Sequence, residues 1–201
     1  MTETQWLWLD RIGILWADLM MAVTLVGGAV AIVKRGKLRD WWRRNHFPDI
    51  GRDLGDDERW PAFLLNVSKP DLPKWLIENQ QPAALALLAT EQSRETADDI
   101  KAFAEKHGAE VLGPYDIDDP DDPSESHALA ATLLDRLRQK GHARIAVDVT
   151  GGKVPMSIGA FMAAEEAGCD SIYISADFDR ELKKPKPQTT RIRCISCPNA
   201  D

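Results

Sequence analysis

The chain has 201 residues, room for one ordinary domain and an appendage. Its 25 basic and 32 acidic residues leave a formal net charge of −7, which excludes a general nucleic-acid coat and confines any polyanion to a local site, with no direct DNA binding expected. Three cysteines (Cys169, Cys194 and Cys197) are too few for a disulfide framework and suit a reducing compartment.

The first element is an apolar run over residues 12–33 whose one charged member is Asp18. At about 1.5 Å per residue it spans about 33 Å, against a hydrocarbon core of about 30 Å. A central Asp costs about 2.5–3.5 kcal/mol on the insertion scale, and the Leu, Ile and Val residues of the run outweigh it. Residues 1–33 are therefore expected to form an N-terminal transmembrane helix. Trp6, Trp8 and Trp16 crowd one end and Trp41 and Trp42 follow the other, where interfacial anchors belong. Lys34, Arg35, Lys37, Arg39, Arg43 and Arg44 follow the run, and only Arg11 precedes it. The positive-inside rule then makes this a single-pass inner-membrane protein, N-terminus outside, with residues 34–201 cytoplasmic. A cleaved signal peptide fits less well, because the start is not basic and cations follow the run. A buried soluble helix fits less well with Gly27-Gly28 and a nearly unbroken apolar perimeter.

Asp18, Ala22 and Ala29 fall on one helical stripe. Small residues permit close helix packing, and an intramembrane carboxyl usually faces a bundle interior. Two readings stand: an oligomeric pore lined near Asp18, or an anchor whose Asp18 snorkels or is protonated.

Residues 34–59 read as a juxtamembrane connector, basic and then acidic. From Trp60 the pattern alternates. Strands are expected at 62–67, 83–89, 110–115, 143–149 and 171–176, with helices at 73–80, 93–107, 124–140 and 155–167. An antiparallel strand is expected at 191–195, and Ser124 serves as an N-cap. Residues 60–201 are thus an α/β domain with a Rossmann-like, mostly parallel sheet. Ligands of such sheets bind beyond the carboxyl ends of the strands. Those ends carry Asn66, Ser68 and Lys69, then Thr90, Glu91, Gln92 and Ser93, then Thr150, Gly151, Gly152 and Lys153, a mostly uncharged rim with two lysines.

The segment from Asp148 to Lys153 carries the chemistry. A strand, a Gly-Gly turn and a helix present bare backbone N–H groups at a helix N-terminus, which attracts phosphate. Lys153 adds a charge and Thr150 a hydroxyl. The segment lacks the upstream glycine of a Walker loop, and Val154 stands where a magnesium-holding Ser or Thr would. No G-x-G-x-x-G follows the first strand, no catalytic set is evident, and no metal is expected. Cys194 and Cys197 have the spacing of half a zinc site without a second half. The Asp/Pro run at 118–123 and the Lys/Pro run at 183–187 read as solvated loops.

Thr150-Gly151-Gly152-Lys153-Val154-Pro155-Met156-Ser157 after the fourth strand resembles the ligand loop of CARF domains, the CRISPR-associated Rossmann-fold sensors. Thr90-Glu91-Gln92-Ser93-Arg94-Glu95-Thr96 is similar to the family's second ligand loop. The resemblance covers about residues 60–200. Many members have Lys or Arg where this chain has Val154, so the charge falls to Lys153. The resemblance implies a ligand, cyclic oligoadenylate, with cyclic tetra-adenylate as the ring size. It implies no further cofactor, and a homodimer through the CARF domain. Ser68, Lys69, Thr90, Ser93, Thr150, Gly151, Gly152, Lys153 and Met156 are the expected contacts. The whole chain resembles the membrane CARF effectors of type III CRISPR systems.

The expected function is therefore a non-enzymatic, ligand-gated membrane effector in antiviral defence. Its lipid-embedded helix would assemble a tetramer or higher oligomer into a depolarising pore. A membrane-anchored ring nuclease and a tethered sensor that recruits a soluble partner are the alternatives.

Overall fold

The computed structural model describes residues 50–55, 58–179 and 184–197, together with Trp6, Trp8, Ile14, Trp16, Asp18, Met20, Met21, Val23 and Thr24. The chain divides into two units, Met1–His46 and Phe47–Asp201. In the first, every described residue is helical and exposed, Asp18 included. Thr24 Oγ1 donates to the Met20 carbonyl at 2.7 Å. Among the described residues no helix is long and apolar enough to cross a membrane. Much of the 12–33 run, Ala22 and Ala29 among it, lies outside the described residues.

The second unit begins with β1 (Ala62–Asn66), α1 (Asp71–Gln80) and β2 (Ala84–Ala89). A 3-10 turn (Glu91–Ser93) then leads into α2 (Arg94–Lys106), β3 (Glu110–Asp116), α3 (Pro123–Gln139), β4 (Ile145–Asp148), α4 (Val154–Ala167) and β5 (Asp170–Ser175). A small hairpin, β6 (Phe178–Asp179) with β7 (Lys184–Pro185), and a second 3-10 turn (Pro187–Thr189) precede β8 (Arg191–Ser196). The main sheet runs β3-β2-β1-β4-β5-β8, parallel except for β8, which is antiparallel to β5. This is the mixed, mostly parallel α/β sheet expected from the alternation. The order reverses between β1 and β4, so the topological switch point lies there.

Strands β1 and β2 are buried along their whole length, as parallel strands covered on both faces must be. Phe63, Leu65, Leu85 and Leu87 meet Leu76 and Ile77 of α1 and Ile100 of α2 on one face. Leu64, Ala86 and Leu88 meet Leu133, Leu134 and Leu137 of α3 and Met156 and Ala160 of α4 on the other. The helices α3 and α4 approach closely at Gly159, where a Cβ would lie 2.1 Å from Ser126 Oγ and 2.3 Å from the Pro123 carbonyl. Any larger residue there drives the two helices apart.

Element ends differ from expectation for local reasons. Asp122 caps α3 by accepting the Ser124 N–H at 2.8 Å, with Pro123 in the first turn, so Ser124 is inside the helix. Helix α1 starts at Asp71, because an acid suits the positive helix end and Pro73 needs no partner in the first turn. Strand β3 tolerates Pro114 because it is the sheet edge. Residues 51–54, read as part of the connector, hydrogen-bond to β8: Gly51 N–H to the Cys194 carbonyl at 2.8 Å, Cys194 N–H to the Arg52 carbonyl at 3.0 Å and Leu54 N–H to the Ile192 carbonyl at 3.0 Å.

Candidate ligand-binding cleft

An open cleft of about 860 Å³ lies beyond the carboxyl ends of β1, β2 and β3. Ser68, Thr90, Ser93, Gly152, Lys153 and Met156 line it. Thr150, Gly151 and Lys69 line instead a smaller cavity of about 100 Å³ that shares Ser68 with the cleft. All nine expected contact residues thus border two adjoining spaces at the switch point.

The loop after β4 is shaped by two glycines. An added Cβ on Gly151 would stand 1.9 Å from the Asn66 carbonyl oxygen, so only glycine lets the loop lie on β1. Gly152 has φ +78° and rests against the Asn66 Cβ and Met156. Ser157 Oγ donates to the Gly151 carbonyl at 2.9 Å and closes the loop onto α4. Lys153 holds the N-cap position of α4 in an extended conformation, and no side chain caps the helix. The partial positive charge of a fourteen-residue helix is therefore left to the cleft.

The functional groups differ in how committed they are. Thr150 Oγ1 donates to Asp148 Oδ1 and accepts the Ile174 N–H at 2.7 Å, and the Thr150 N–H donates to the same carboxylate oxygen at 2.9 Å. Thr150 thus ties the loop to β5. Burial pushes the Asp148 carboxyl up to about 6, while the two Thr150 hydrogen bonds pull it down. At the second loop, Thr90 and Ser93 form a capping box: Thr90 N–H donates to Ser93 Oγ at 2.9 Å and the Thr90 side chain accepts the Ser93 N–H, which also meets the Thr90 carbonyl at 2.9 Å. Their hydroxyls shape the turn, and Ser93 is buried. Ser68 and Lys69 are exposed.

The acidic run at 118–123 is one wall of the cleft. Glu125 accepts the Asp118 and Asp119 N–H groups at 2.7 and 2.8 Å, which pins the run to the start of α3. Asp118 and Pro120 line the cleft, and Asp121 Oδ2 accepts from Lys153 Nζ at 2.9 Å. Arg94 also lines it and pairs with Asp116 and Asp98. Sequence reading placed Arg94 in the second ligand loop without naming it as a contact, and missed Asp116 and Asp118 as cleft residues and Asp121 as the partner of Lys153. Their one signal was position, directly after a 3-10 turn for Arg94 and at or just past the end of β3 for the acids. Among the described residues no group of three or more His, Cys, Asp or Glu side chains is arranged to hold a metal. Cys194 is buried, Cys197 is half-buried, and burial pushes the Cys197 thiol strongly up, away from the thiolate that a metal requires. The cleft is two-sided, with the α4 N-terminus and Lys153 on one side, Asp116 and Asp118 on the other, and Met156, Val67 and Ile117 as apolar lining.

The second unit is thus a Rossmann-like α/β domain with a ligand cleft at its switch point. The chain matches no family model and no curated protein. Its fold is shared with a number of solved structures, among them these two. One is Can2 from Sulfobacillus thermosulfidooxidans in complex with cyclic tetra-adenylate, 17% identical, with a TM-score of 0.50 over 63% of this chain and 36% of that one. The other is a type III CRISPR defence DNA nuclease activated by cyclic oligoadenylate, 21% identical, with a TM-score of 0.51 over 63% of this chain and 20% of that one. The matched region is well under two thirds of either protein's length. This likeness agrees with the CARF-type fold that the ligand loop resembles.

Proposed function

We propose that this chain is a cyclic oligoadenylate sensor of type III CRISPR defence, coupled to a membrane through its N-terminal segment. The uncapped N-terminus of α4, opening behind Gly151-Gly152 at the switch point, carries this reading. The two proteins of shared fold, one bound to cyclic tetra-adenylate and one activated by cyclic oligoadenylate, support the ligand class. The ring phosphates lie at the α4 N-terminus and Lys153, with Ser68, Lys69, Thr90, Ser93 and Met156 bordering the bases and sugars.

The working unit is a homodimer. Val154, Ile158 and Met162 are 71%, 48% and 47% exposed and lie at helical spacing on one stripe of α4. Each side chain so exposed forgoes about 1–2 kcal/mol of burial while it faces water. A second copy laid against this stripe covers it and brings two Gly-Gly loops close together, which suits a ring with symmetry-related phosphates.

The output is membrane depolarisation rather than catalysis. Residues 12–33 cross the inner membrane, the sensor is cytoplasmic, and dimers assemble through the spanning helices into a tetramer or larger pore near Asp18. Cyclic oligoadenylate opens it by binding the open state more tightly than the closed one. The test is the full chain in liposomes loaded with a voltage-sensitive dye, titrated with cyclic tetra-adenylate while the ring is assayed for cleavage. A ligand-dependent change of potential with an intact ring is expected. Linear fragments without a potential change would make it a ring nuclease, and binding with neither would make it a tethered recruiter. No binding of any adenylate ring would overturn the reading.

A further inference from the structure

Asn66 is the last residue of β1, at the switch point, and it is 1% exposed. Its side-chain Oδ1 and Nδ2 are both buried, and among the described residues neither has a hydrogen-bond partner. Buried amides are rarely left so, because each unmade hydrogen bond costs about 1–3 kcal/mol. A leucine has the same branched skeleton and carries no polar group to leave unpaired. The loop above does not relieve it: Gly151 and Gly152 lie against the Asn66 backbone and Cβ, and Asn66 borders the cavity of about 100 Å³ beside the loop. Asp148 lines the same cavity, its Oδ1 taken up by Thr150. Leu72 and Pro73 supply flat apolar walls, and Ser68 joins the cavity to the main cleft.

A primary amide offers one donor and one acceptor side by side. Its complement is an edge with an amine beside a ring nitrogen, as on adenine at N6 and N7. Guanine and hypoxanthine present two acceptors on that edge and leave the amide N–H as the lone match. The Asp148 carboxyl, an acceptor when ionised, also favours an amine over a carbonyl. The cavity is sized for the edge of a base, with the sugar and phosphate remaining in the larger cleft.

We propose that Asn66, with Asp148 across the cavity, is the base-reading element of the site, pairing with the amino edge of adenine and rejecting a 6-oxo purine. This rests on the cyclic oligoadenylate reading above and says which part of the ligand is recognised, and by what.

The test uses the full chain in detergent, calorimetry, and two rings of equal size: cyclic tetra-adenylate and cyclic tetra-inosinate, which share phosphates and differ in the amine. The adenylate ring is expected to bind at least about tenfold more tightly, the scale of one good amide–base pair. Asn66→Leu is expected to bring the two rings within about twofold of each other, even if overpacking lowers its melting temperature. Equal binding of both rings to the parent would overturn base reading while leaving the phosphate site intact. So would a preference that survives Asn66→Leu, which would mean that the amide holds only a buried water. If neither ring binds the parent, the sensor reading and this inference fall together.

Discussion

Lys153 Nζ lies 2.9 Å from Asp121 Oδ2, so the one full positive charge of the Gly-Gly loop already has a partner. The two residues come from different sides of the cleft, one ahead of α4 and one ahead of α3. Both are exposed, and such a pair is easily exchanged for a better one. An incoming phosphate competes with Asp121 for the same ammonium. Asp121→Asn should therefore tighten cyclic tetra-adenylate binding, by up to about fivefold, the scale of an exposed ion pair. Lys153→Ala should weaken it by about tenfold, the scale of a charged hydrogen bond. Calorimetry on the two variants checks the opposite signs. Two changes of the same sign would mean that the ion pair has no part in ligand exchange.

The two glycines of the loop are not equivalent. A methyl at Gly151 meets a backbone carbonyl at 1.9 Å, and a backbone atom cannot rotate away. At Gly152 the nearest atoms, 3.3 Å away, are the Asn66 Cβ and the flexible end of Met156. Gly152→Ala should cost about 1–2 kcal/mol, the price of a left-handed backbone with a side chain. Gly151→Ala should cost more, about 3 kcal/mol, at the upper end of overpacking. Urea unfolding gives the order directly.

Asp148 makes stability depend on pH. Its folded-state value of about 6 lies above the ordinary 3.8, so the folded chain holds the proton more tightly than the unfolded one. The stabilisation it adds is full below pH 3.8 and is lost as pH rises through about 6. Over that window the loss is about 2–4 kcal/mol. Asp148→Asn should remove this slope between pH 4 and 6, seen as a flatter unfolding free energy than the parent's. An unchanged difference between variant and parent across the window would refute the assignment.

Thr150 should behave as a structural tie. Thr150→Val keeps the shape but leaves the Ile174 N–H and the buried Asp148 carboxyl without their hydroxyl partner. One orphaned N–H and a carboxylate left with only the backbone N–H of residue 150 predict a loss of about 1–3 kcal/mol. Thr150→Ser keeps the hydroxyl and should recover most of it. If Thr150→Val weakens ligand binding at unchanged stability, the hydroxyl serves the ligand instead.

The sheet was legible because β2 is an unbroken apolar run and β1 is apolar up to Asn66, and Gly141 and Gly168 stop helices where the pattern ends. The Gly-Gly loop was legible because its glycines stand between a strand and a helix. Two kinds of information were not. Local spacing cannot show which loops meet across the sheet, so the run around Asp121 read as solvent-facing although it walls the cleft and pairs with Lys153. Nor can it show whether a hydroxyl is free: Thr90, Ser93 and Thr150 have the chemistry of ligand contacts, yet each is engaged in shaping its own turn. Asn66 stood among the rim residues, and only burial distinguishes its unpaired amide from a solvated one.

The attachment of residues 51–54 to β8 gives the chain a clamped entry rather than a slack leash. Strand β8 is laced to β5, and the β5 N–H of Ile174 is held by the Thr150 hydroxyl at the root of the Gly-Gly loop. Tension or torque arriving from upstream of residue 50 is thus delivered to the margin of the sheet, and the route from there to the loop runs through hydrogen-bonded backbone. Inserting slack residues at positions 56 and 57 would leave that route untouched, whereas unzipping 51–54 from β8 would cut it.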